Sequence, residues 1–453
     1  MSKTKAVILA AGFGTRMKSK HPKVIHDILG RPLVSCVIQA AQEAGVDEIC
    51  VVVGHASDDV KAAIKEDVTY VMQEDQLGTG HAVMMADAFI EEEGKTLVLF
   101  GDTPLITSDT LKALLDTTEA NNNAVTVLST VVDQPHGYGR IVRKDGEFYK
   151  SVEHKDATEE ERQVTEINSG MYCFDSKALK DSLGQLTNDN SQGEYYLPDV
   201  LPIIMKDGGK VQALITENSD EILGINTKVQ LAEAQLILQR RINEQHMLNG
   251  VTMIHPDQTY ISYEAVIGQD VVVYPNTFIE GKSVIGADSI IGPNSRVVDS
   301  SIGDNTKVEQ STVLQSTIGN ETLVGPYAYI RPNSVIGDHI KIGDFVEVKN
   351  AVIGDGTKIS HLTYVGDADV GKNVNFGCGT VVVNYDGKKK HRTTIEDGAF
   401  IGCNTNLVSP VVVHEKAYTA AGSTITKDVP GEALAIARSR QTNIEDWVKN
   451  SHG

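Results

Sequence analysis

Residues 284–308 read VIGADSIIGPNSRVVDSSIGDNTKV. An aliphatic residue followed by glycine returns at Ile285-Gly286, Ile291-Gly292 and Ile302-Gly303. Four places after each aliphatic stands a small residue: Ser289, Ser295 and Thr306. The beat starts at Ile267-Gly268 and continues through Ile318-Gly319, Val324-Gly325, Ile336-Gly337, Ile342-Gly343, Ile353-Gly354 and Val365-Gly366 to Ile401-Gly402. A six-residue repeat held this long predicts a parallel β-helix of hexapeptides. Each hexad supplies one short strand whose aliphatic side chain enters a stack, and glycine with the small residue permits the corner. One coil cannot bury its own apolar side, so coils must pile into an extended wall. With about three hexads per coil, residues roughly eighteen apart stack on one face.

A chain of 453 residues is too long for one core, so two or three domains are expected. The apolar content of 41% and charged content of 23% are those of a globular protein. A formal charge of −20 argues against nucleic acid and anionic membrane as partners, but leaves room for a small phosphorylated substrate. The five cysteines are scattered and form no C-x-x-C pair, which fits reduced thiols in the cytoplasm. The apolar run Ala6 to Ala11 is too short for a signal peptide or a membrane span, so a cytoplasmic protein without membrane insertion is expected.

Ahead of the repeats, apolar runs alternate with helical stretches. Ala6 to Ala10, Ile49 to Val53 and Thr96 to Phe100 read as buried strands, and Pro32 to Ala44 and Thr79 to Glu92 as helices. This pattern predicts a mostly parallel α/β sheet with the ligand beyond the carboxyl ends of its strands, where Gly12 and Asp102 fall. The expected organisation is an α/β domain over 1–228, a linker helix over 229–250 and a β-helix domain over 251–453. One polar stretch, Asn384 to Arg392, breaks the six-residue period and predicts a projecting loop.

The first strand runs into Leu9-Ala10-Ala11-Gly12-Phe13-Gly14-Thr15-Arg16-Met17, with Pro22-Lys23 close behind. Glycines let backbone N–H groups approach phosphate oxygens, and Arg16 and Lys23 can neutralise them. A bare G-x-G also fits an ordinary tight turn; the whole string is more specific. With Gln73 to His81, Gly137-Tyr138-Gly139-Arg140-Ile141, Val152 to Asp156, Ile167 to Gly170 and the β-helix, the chain resembles the sugar-phosphate nucleotidylyltransferases. Within that group it is most similar to the bifunctional N-acetylglucosamine-1-phosphate uridylyltransferase / glucosamine-1-phosphate N-acetyltransferases, over essentially its whole length.

That resemblance implies a Rossmann-like nucleotidyltransferase domain, a left-handed β-helix and a homotrimer. It implies that Leu9, Ala10, Ala11, Gly12, Arg16 and Lys23 face the triphosphate of UTP. Gln73, Gly78 and Thr79 would face the uracil, and Gly139, Glu153 and Asn168 the N-acetylglucosamine. Asp102 and Asn226 would hold Mg²⁺, an ion satisfied by one carboxylate, one amide and substrate phosphates. From the residues alone, Asp102 and Asn226 also fit as helix caps.

A second polar stretch interrupts the β-helix: Ser360 to Asp367, Asn373 to Gly379, then Asn384-Tyr385. Arg331 and Lys349 stand eighteen apart, as a vertical cationic pair for a phosphate would. Acetyl transfer to an amine needs a base, and imidazole suits the task. The resemblance implies that His361 is this base and that Arg331, Lys349, Tyr364 and Asn375 hold glucosamine-1-phosphate. Cys378, Asn384, Tyr385, Cys403, Ala421 and Arg438 would then face acetyl-CoA. The implied enzyme acetylates glucosamine-1-phosphate and then uridylylates the product, serving cell-envelope precursor synthesis. Two rivals remain at this point: a nucleotidyltransferase whose β-helix is only a scaffold, and a non-catalytic binding protein. The set His361, Arg331, Lys349 and Asn384 speaks against the first, and Arg16, Lys23, Asp102 and Asn226 against the second.

Overall fold

The computed structural model describes residues 3–190 and 192–451. They form two compact units, divided between Leu238 and Gln239.

The first unit is built on nine strands. They are β1 (Thr4–Leu9), β2 (Glu48–Val53), β3 (Thr69–Met72), β4 (Lys95–Phe100), β5 (Val125–Val131), β6 (Gly139–Lys144), β7 (Glu147–Val152), β8 (Glu166–Asp175) and β9 (Val211–Ile215). The sheet order is β9-β5-β8-β4-β1-β2-β3, and the β6–β7 ribbon attaches to β8. Only β8 runs against its neighbours in the main path. In β1, Ala6 and Ile8 point into one core with Val34, Val37, Ile38, Leu111 and Leu114. Val7 and Leu9 point into the other, with Ala82, Val83, Leu179 and Leu201. Both faces of the strand are covered, which is why it is apolar throughout from Ala6 to Leu9.

The helix expected over Thr79 to Glu92 is shorter, Thr79–Met85. Lys180 Nζ donates to the carbonyls of Asp87 and Ile90, at 3.1 and 2.9 Å, so the chain beyond Met85 settles as turns held from the side.

In the second unit the strands stack into three parallel sheets of 11, 10 and 9 strands, the walls of a left-handed β-helix. Its interior is a continuous column of aliphatics, among them Ile267, Ile285, Ile302, Ile318, Ile336 and Ile353. Equivalent strand positions fall at Val266, Val284, Ser301, Thr317, Val335, Val352, Asp369 and Thr394. The coil length is therefore uneven about the eighteen or so residues expected. Several coils, such as those from Val284 to Ser301 and from Ser301 to Thr317, fall short of that period, and the coil from Asp369 to Thr394 far exceeds it. The shorter coils turn tighter corners on one left-handed residue, such as Asp299 (φ 45°), Gln310 (φ 47°) and Gln315 (φ 43°).

The long helix is Lys228–Leu248. Its second half does more than link. Gln239 Nε2 and Asn243 Nδ2 donate to the Thr259 carbonyl at 2.8 and 2.9 Å, and Ile242 packs on the β-helix core. The first coil, which would otherwise expose an open strand edge, is thereby capped.

Candidate active sites

In the first unit, Leu9 is paired with Phe100, so β1 and β4 end side by side. Ala10 N donates to Val52 O of β2, and Gly101 N to Leu9 O, both at 2.9 Å, and the second bond holds the loops after β1 and β4 together. Between them lies a cavity of about 290 Å³ lined by Leu9, Ala10, Ala11, Gly12, Lys23, Gln73, Gly78, Thr79 and Asp102. Gly14 sits at φ 59°, and a β-carbon there would strike that of Lys23. The glycine is what lets the loop close over the lysine.

Lys23 Nζ is the centre of this pocket's charge. It is paired with Asp102 Oδ2 and donates to Asn226 Oδ1 at 2.9 Å. Arg16 Nη2 donates to the same Asn226 oxygen at 3.0 Å. Asp102 and Asn226, far apart in sequence, thus present their oxygens to one ammonium. A donor pair that already holds a cation fits Mg²⁺, which takes one or two protein ligands and completes its shell with phosphates and water. Among the described residues no cluster of three or more His, Cys, Asp or Glu could hold a metal, and the two-ligand arrangement does not require one.

Gln73 is buried, and its Nε2 donates to Gly78 O at 3.1 Å and lies 3.1 Å from His81 Nδ1. Gly78 adopts φ 111°, packed against the Tyr195 backbone. Thr79 Oγ1 accepts from Leu197 N at 3.1 Å. Gln76 and Glu194 also line the cavity, and the sequence reading did not single them out. Beside it, Gly139 faces the Glu153 carboxylate and Asn168, close enough that a β-carbon would fill the space between them. Asn168 donates to Ser151 Oγ at 3.0 Å and Tyr172 Oη at 2.8 Å. Burial, and then Asp199 and Asp156, hold the Glu153 carboxyl above the usual range.

In the β-helix, Asp344 is in register with His361, one coil below, and His361 Nδ1 lies 2.6 Å from Asp344 Oδ1. The His361 hydrogen bond holds the Asp344 carboxyl below its ordinary value, so the pair is a carboxylate facing an imidazole. Asp344, one coil before His361, was not singled out in the sequence, where nothing marks a carboxylate as the partner of an imidazole on the next coil. Continuing the same register places Cys378, Cys403 and Ala421 above His361 on successive coils. Cys403 O accepts from Gly422 N at 2.7 Å, and Arg438 lies against Gly422. His361 and four of the residues expected to face acetyl-CoA therefore form, with Asp344, one column along a single corner and its upper end.

The next face carries the cations. Ile330 pairs with Val348, so Arg331 and Lys349 are vertical neighbours as expected. Each has company the sequence did not announce. Arg331 Nη1 donates to Glu347 Oε1 at 2.7 Å. Lys390, and then burial, lower the Lys349 ammonium below its ordinary value. Asp367 is buried and accepts from Asn350 Nδ2 and Asn384 Nδ2, both at 2.5 Å, and Asn384 Nδ2 also reaches Tyr364 Oη at 3.2 Å. Asn375 lies on a different sheet from Arg331, Lys349 and Tyr364, so one chain does not bring these four side chains to one point. Tyr385 is exposed on the projecting loop. The base of that loop is fixed by Arg392, whose Nε and Nη2 donate to the two Asp369 oxygens at 2.6 Å each. Arg392 is thus committed within the fold.

A glycine-loop pocket at the carboxyl ends of parallel strands is followed along the chain by a repeat prism bearing a carboxylate–imidazole pair, a plan that fits a two-part transferase. Residues 6–193 match the MobA-like NTP transferase domain, and residues 264–298 and 315–350 match the bacterial transferase hexapeptide (six repeats). The chain belongs to the bifunctional GlmU family. "Bifunctional protein GlmU" of Acetivibrio thermocellus is 58% identical over 445 residues, spanning 98% of this chain and 96% of the relative. That of Clostridioides difficile is 53% identical, spanning 99% and 98%. That of Bacillus velezensis is 54% identical across 100% of both. The chain is accordingly an enzyme that joins uridylyl transfer to N-acetylglucosamine-1-phosphate with acetyl transfer to glucosamine-1-phosphate, in the synthesis of UDP-N-acetylglucosamine. No helix among the described residues is long and apolar enough to cross a membrane.

Proposed function

We propose that residues 251–453 acetylate glucosamine-1-phosphate with acetyl-CoA, and that residues 1–228 then transfer UMP from UTP to the product. The observation that carries the acetyl half is the His361–Asp344 pair, which a purely structural scaffold does not need. Nδ1 donates to the Asp344 carboxylate, leaving the Nε2 lone pair to take a proton from the sugar ammonium. The freed amine attacks the thioester carbonyl, the C–S bond breaks and the coenzyme leaves as its thiol. Asn384, fixed by Asp367, polarises the reacting groups, and Arg331, Lys349 and Tyr364 hold the sugar phosphate with Asn375.

In the first unit, a phosphate oxygen of N-acetylglucosamine-1-phosphate attacks the α-phosphorus of UTP and pyrophosphate departs. The work is positioning and charge neutralisation. Arg16, Lys23 and the backbone after Leu9 cradle the triphosphate; Gln73, Gly78 and Thr79 face the base; Gly139, Glu153 and Asn168 hold the sugar. Asp102 and Asn226 would hold Mg²⁺, whose chemistry is to draw charge from the phosphates.

The assembly is a cytoplasmic homotrimer. Support comes from Asn375, which joins the cationic face only if a second copy supplies one of the two surfaces. Stacked exposed rings such as Tyr327 and Phe345, 5.5 Å apart, offer the prism faces apolar contact. The test is a mixture of protein, glucosamine-1-phosphate, acetyl-CoA, UTP and Mg²⁺ with each component omitted in turn. Thiol release independent of UTP, with pyrophosphate release dependent on acetyl-CoA, is expected. Pyrophosphate only with supplied N-acetylglucosamine-1-phosphate, and no thiol, would refute the acetyl half.

A further inference from the structure

Three of the five thiols are sealed in the first unit. Burial pushes Cys36 and Cys173 up to about 12 and Cys50 up to about 11. The remaining two, half-buried Cys378 and exposed Cys403, are on the β-helix. Each stands two residues after an inward-facing residue, Phe376 or Ile401, and those two are in register on adjacent coils. Asn404 N donates to Cys378 O at 2.7 Å, so the coils are in contact at this very corner. Both cysteines sit on corner turns, two residues past strands that lie about 4.8 Å apart. That spacing is inside the roughly 4.4–6.8 Å Cα window of a disulfide. Equivalent side chains on neighbouring coils do point the same way in this protein. Asn276 Nδ2 reaches Asn294 Oδ1 at 3.1 Å, and the Phe400 and Tyr418 rings stack at 5.1 Å.

We infer that Cys378 and Cys403 are a modification site, a vertical dithiol that low-molecular-weight disulfides convert to an intramolecular disulfide. The exposed Cys403 thiolate attacks one sulfur of the small disulfide, forming a mixed disulfide and releasing one thiolate. The Cys378 thiolate then attacks the Cys403 sulfur and expels the second. The protein loses two protons and two electrons, and the small disulfide becomes two thiols. The bridge would stand directly above His361 in the column and close the face assigned to the coenzyme. That consequence, unlike the pairing itself, rests on the reading proposed above.

The experiment treats the reduced full-length protein with oxidised glutathione and reads it by intact mass, peptide mapping and both activities. A mass loss of about 2 Da with a Cys378–Cys403 cross-linked peptide is expected. So is a fall in acetyl transfer of roughly tenfold or more that dithiothreitol reverses, with uridylyl transfer unchanged. The Cys403→Ser variant, compared with itself before and after oxidant, should form no bridge. Stable glutathione adducts on both thiols, or two thiols that remain free, would overturn the pairing. A bridge that leaves acetyl transfer unchanged would uphold the dithiol and overturn the placement of the coenzyme along this column.

Discussion

Asp367→Asn isolates what the buried carboxylate does for the acetyl site. Asp367 is only 7% exposed, and its backbone is left-handed at φ 49°, a conformation asparagine tolerates. The substitution therefore keeps shape and backbone, and alters one thing. In the wild type both carboxylate oxygens accept from amide groups, Oδ1 from Asn350 Nδ2 and Oδ2 from Asn384 Nδ2. The new amide retains one acceptor and turns an NH₂ toward a neighbouring NH₂. One charged hydrogen bond is lost, about 1.5–3 kcal/mol. If the loss falls on the orientation of Asn384 and Tyr364, acetyl transfer slows by about 10- to 150-fold. The assay is kcat/KM for thiol release from acetyl-CoA, with pyrophosphate release from the same preparation as the internal control. A change of less than about threefold in acetyl transfer would show that the Asp367–Asn384 contact does not position the reacting groups. An equal fall in both activities would show unfolding instead.

His361→Ala should abolish thiol release and spare pyrophosphate release, and Asp102→Ala should do the reverse; joint loss in either variant would sink the two-site reading. Gly78→Ala places a β-carbon 2.5 Å from the Tyr195 carbonyl at φ 111°. A strain of about 1–3 kcal/mol should raise KM for UTP by roughly 5- to 150-fold, read against unchanged acetyl transfer. For Glu153, the raised folded value means that the folded protein keeps a proton the unfolded chain has released. The stability this contributes is present below the unfolded carboxylate range and is lost as pH rises through the folded value. Uridylyl transfer should accordingly show an acid limb in KM for N-acetylglucosamine-1-phosphate, placed above the ordinary glutamate range. Glu153→Gln should remove that limb, and a limb that survives the substitution would assign it to another group.

The β-helix was legible because its period is covalent: Ile-Gly at six-residue intervals dictates strand, corner and stack together. Strand β1 was legible for a related reason, since burial on both faces leaves Ala6 to Leu9 without a polar position. What the sequence hid was pairing between distant residues. Asp344 belongs to His361 across one coil, and an acidic residue among many acidic residues carries no mark of that partnership. Glu347 beside Arg331 and Asp367 beneath Asn384 were equally silent, because nothing in local composition marks a partner one coil away, and Lys390 meets Lys349 from the projecting loop. The helix expected to reach Glu92 ended at Met85 because Lys180, far along the chain, holds the carbonyls of the turn that follows. Asp102 and Asn226 fitted helix caps from the residues alone; the resemblance paired them, and their shared contact with Lys23 brings them together in the structure.

The long coil between Asp369 and Thr394 has a consequence for how this half of the protein can change. It carries the loop of Tyr385 and Arg392, yet the strands above and below it remain in register, Asn375 with Phe400 and Val381 with Asn406. Additional chain placed at a corner leaves the prism as it was, so corners are free addresses where a new loop can be written without moving an old residue. The strands offer no such freedom. One residue gained or lost inside a strand would exchange its inward and outward side chains, turning a buried aliphatic to solvent and a column residue to the interior. Descent with modification should therefore leave its length changes at corners like that after Val383 and its substitutions on the columns. On this architecture the distance between two functional residues along the chain is a historical quantity, and their distance along the axis is a mechanical one.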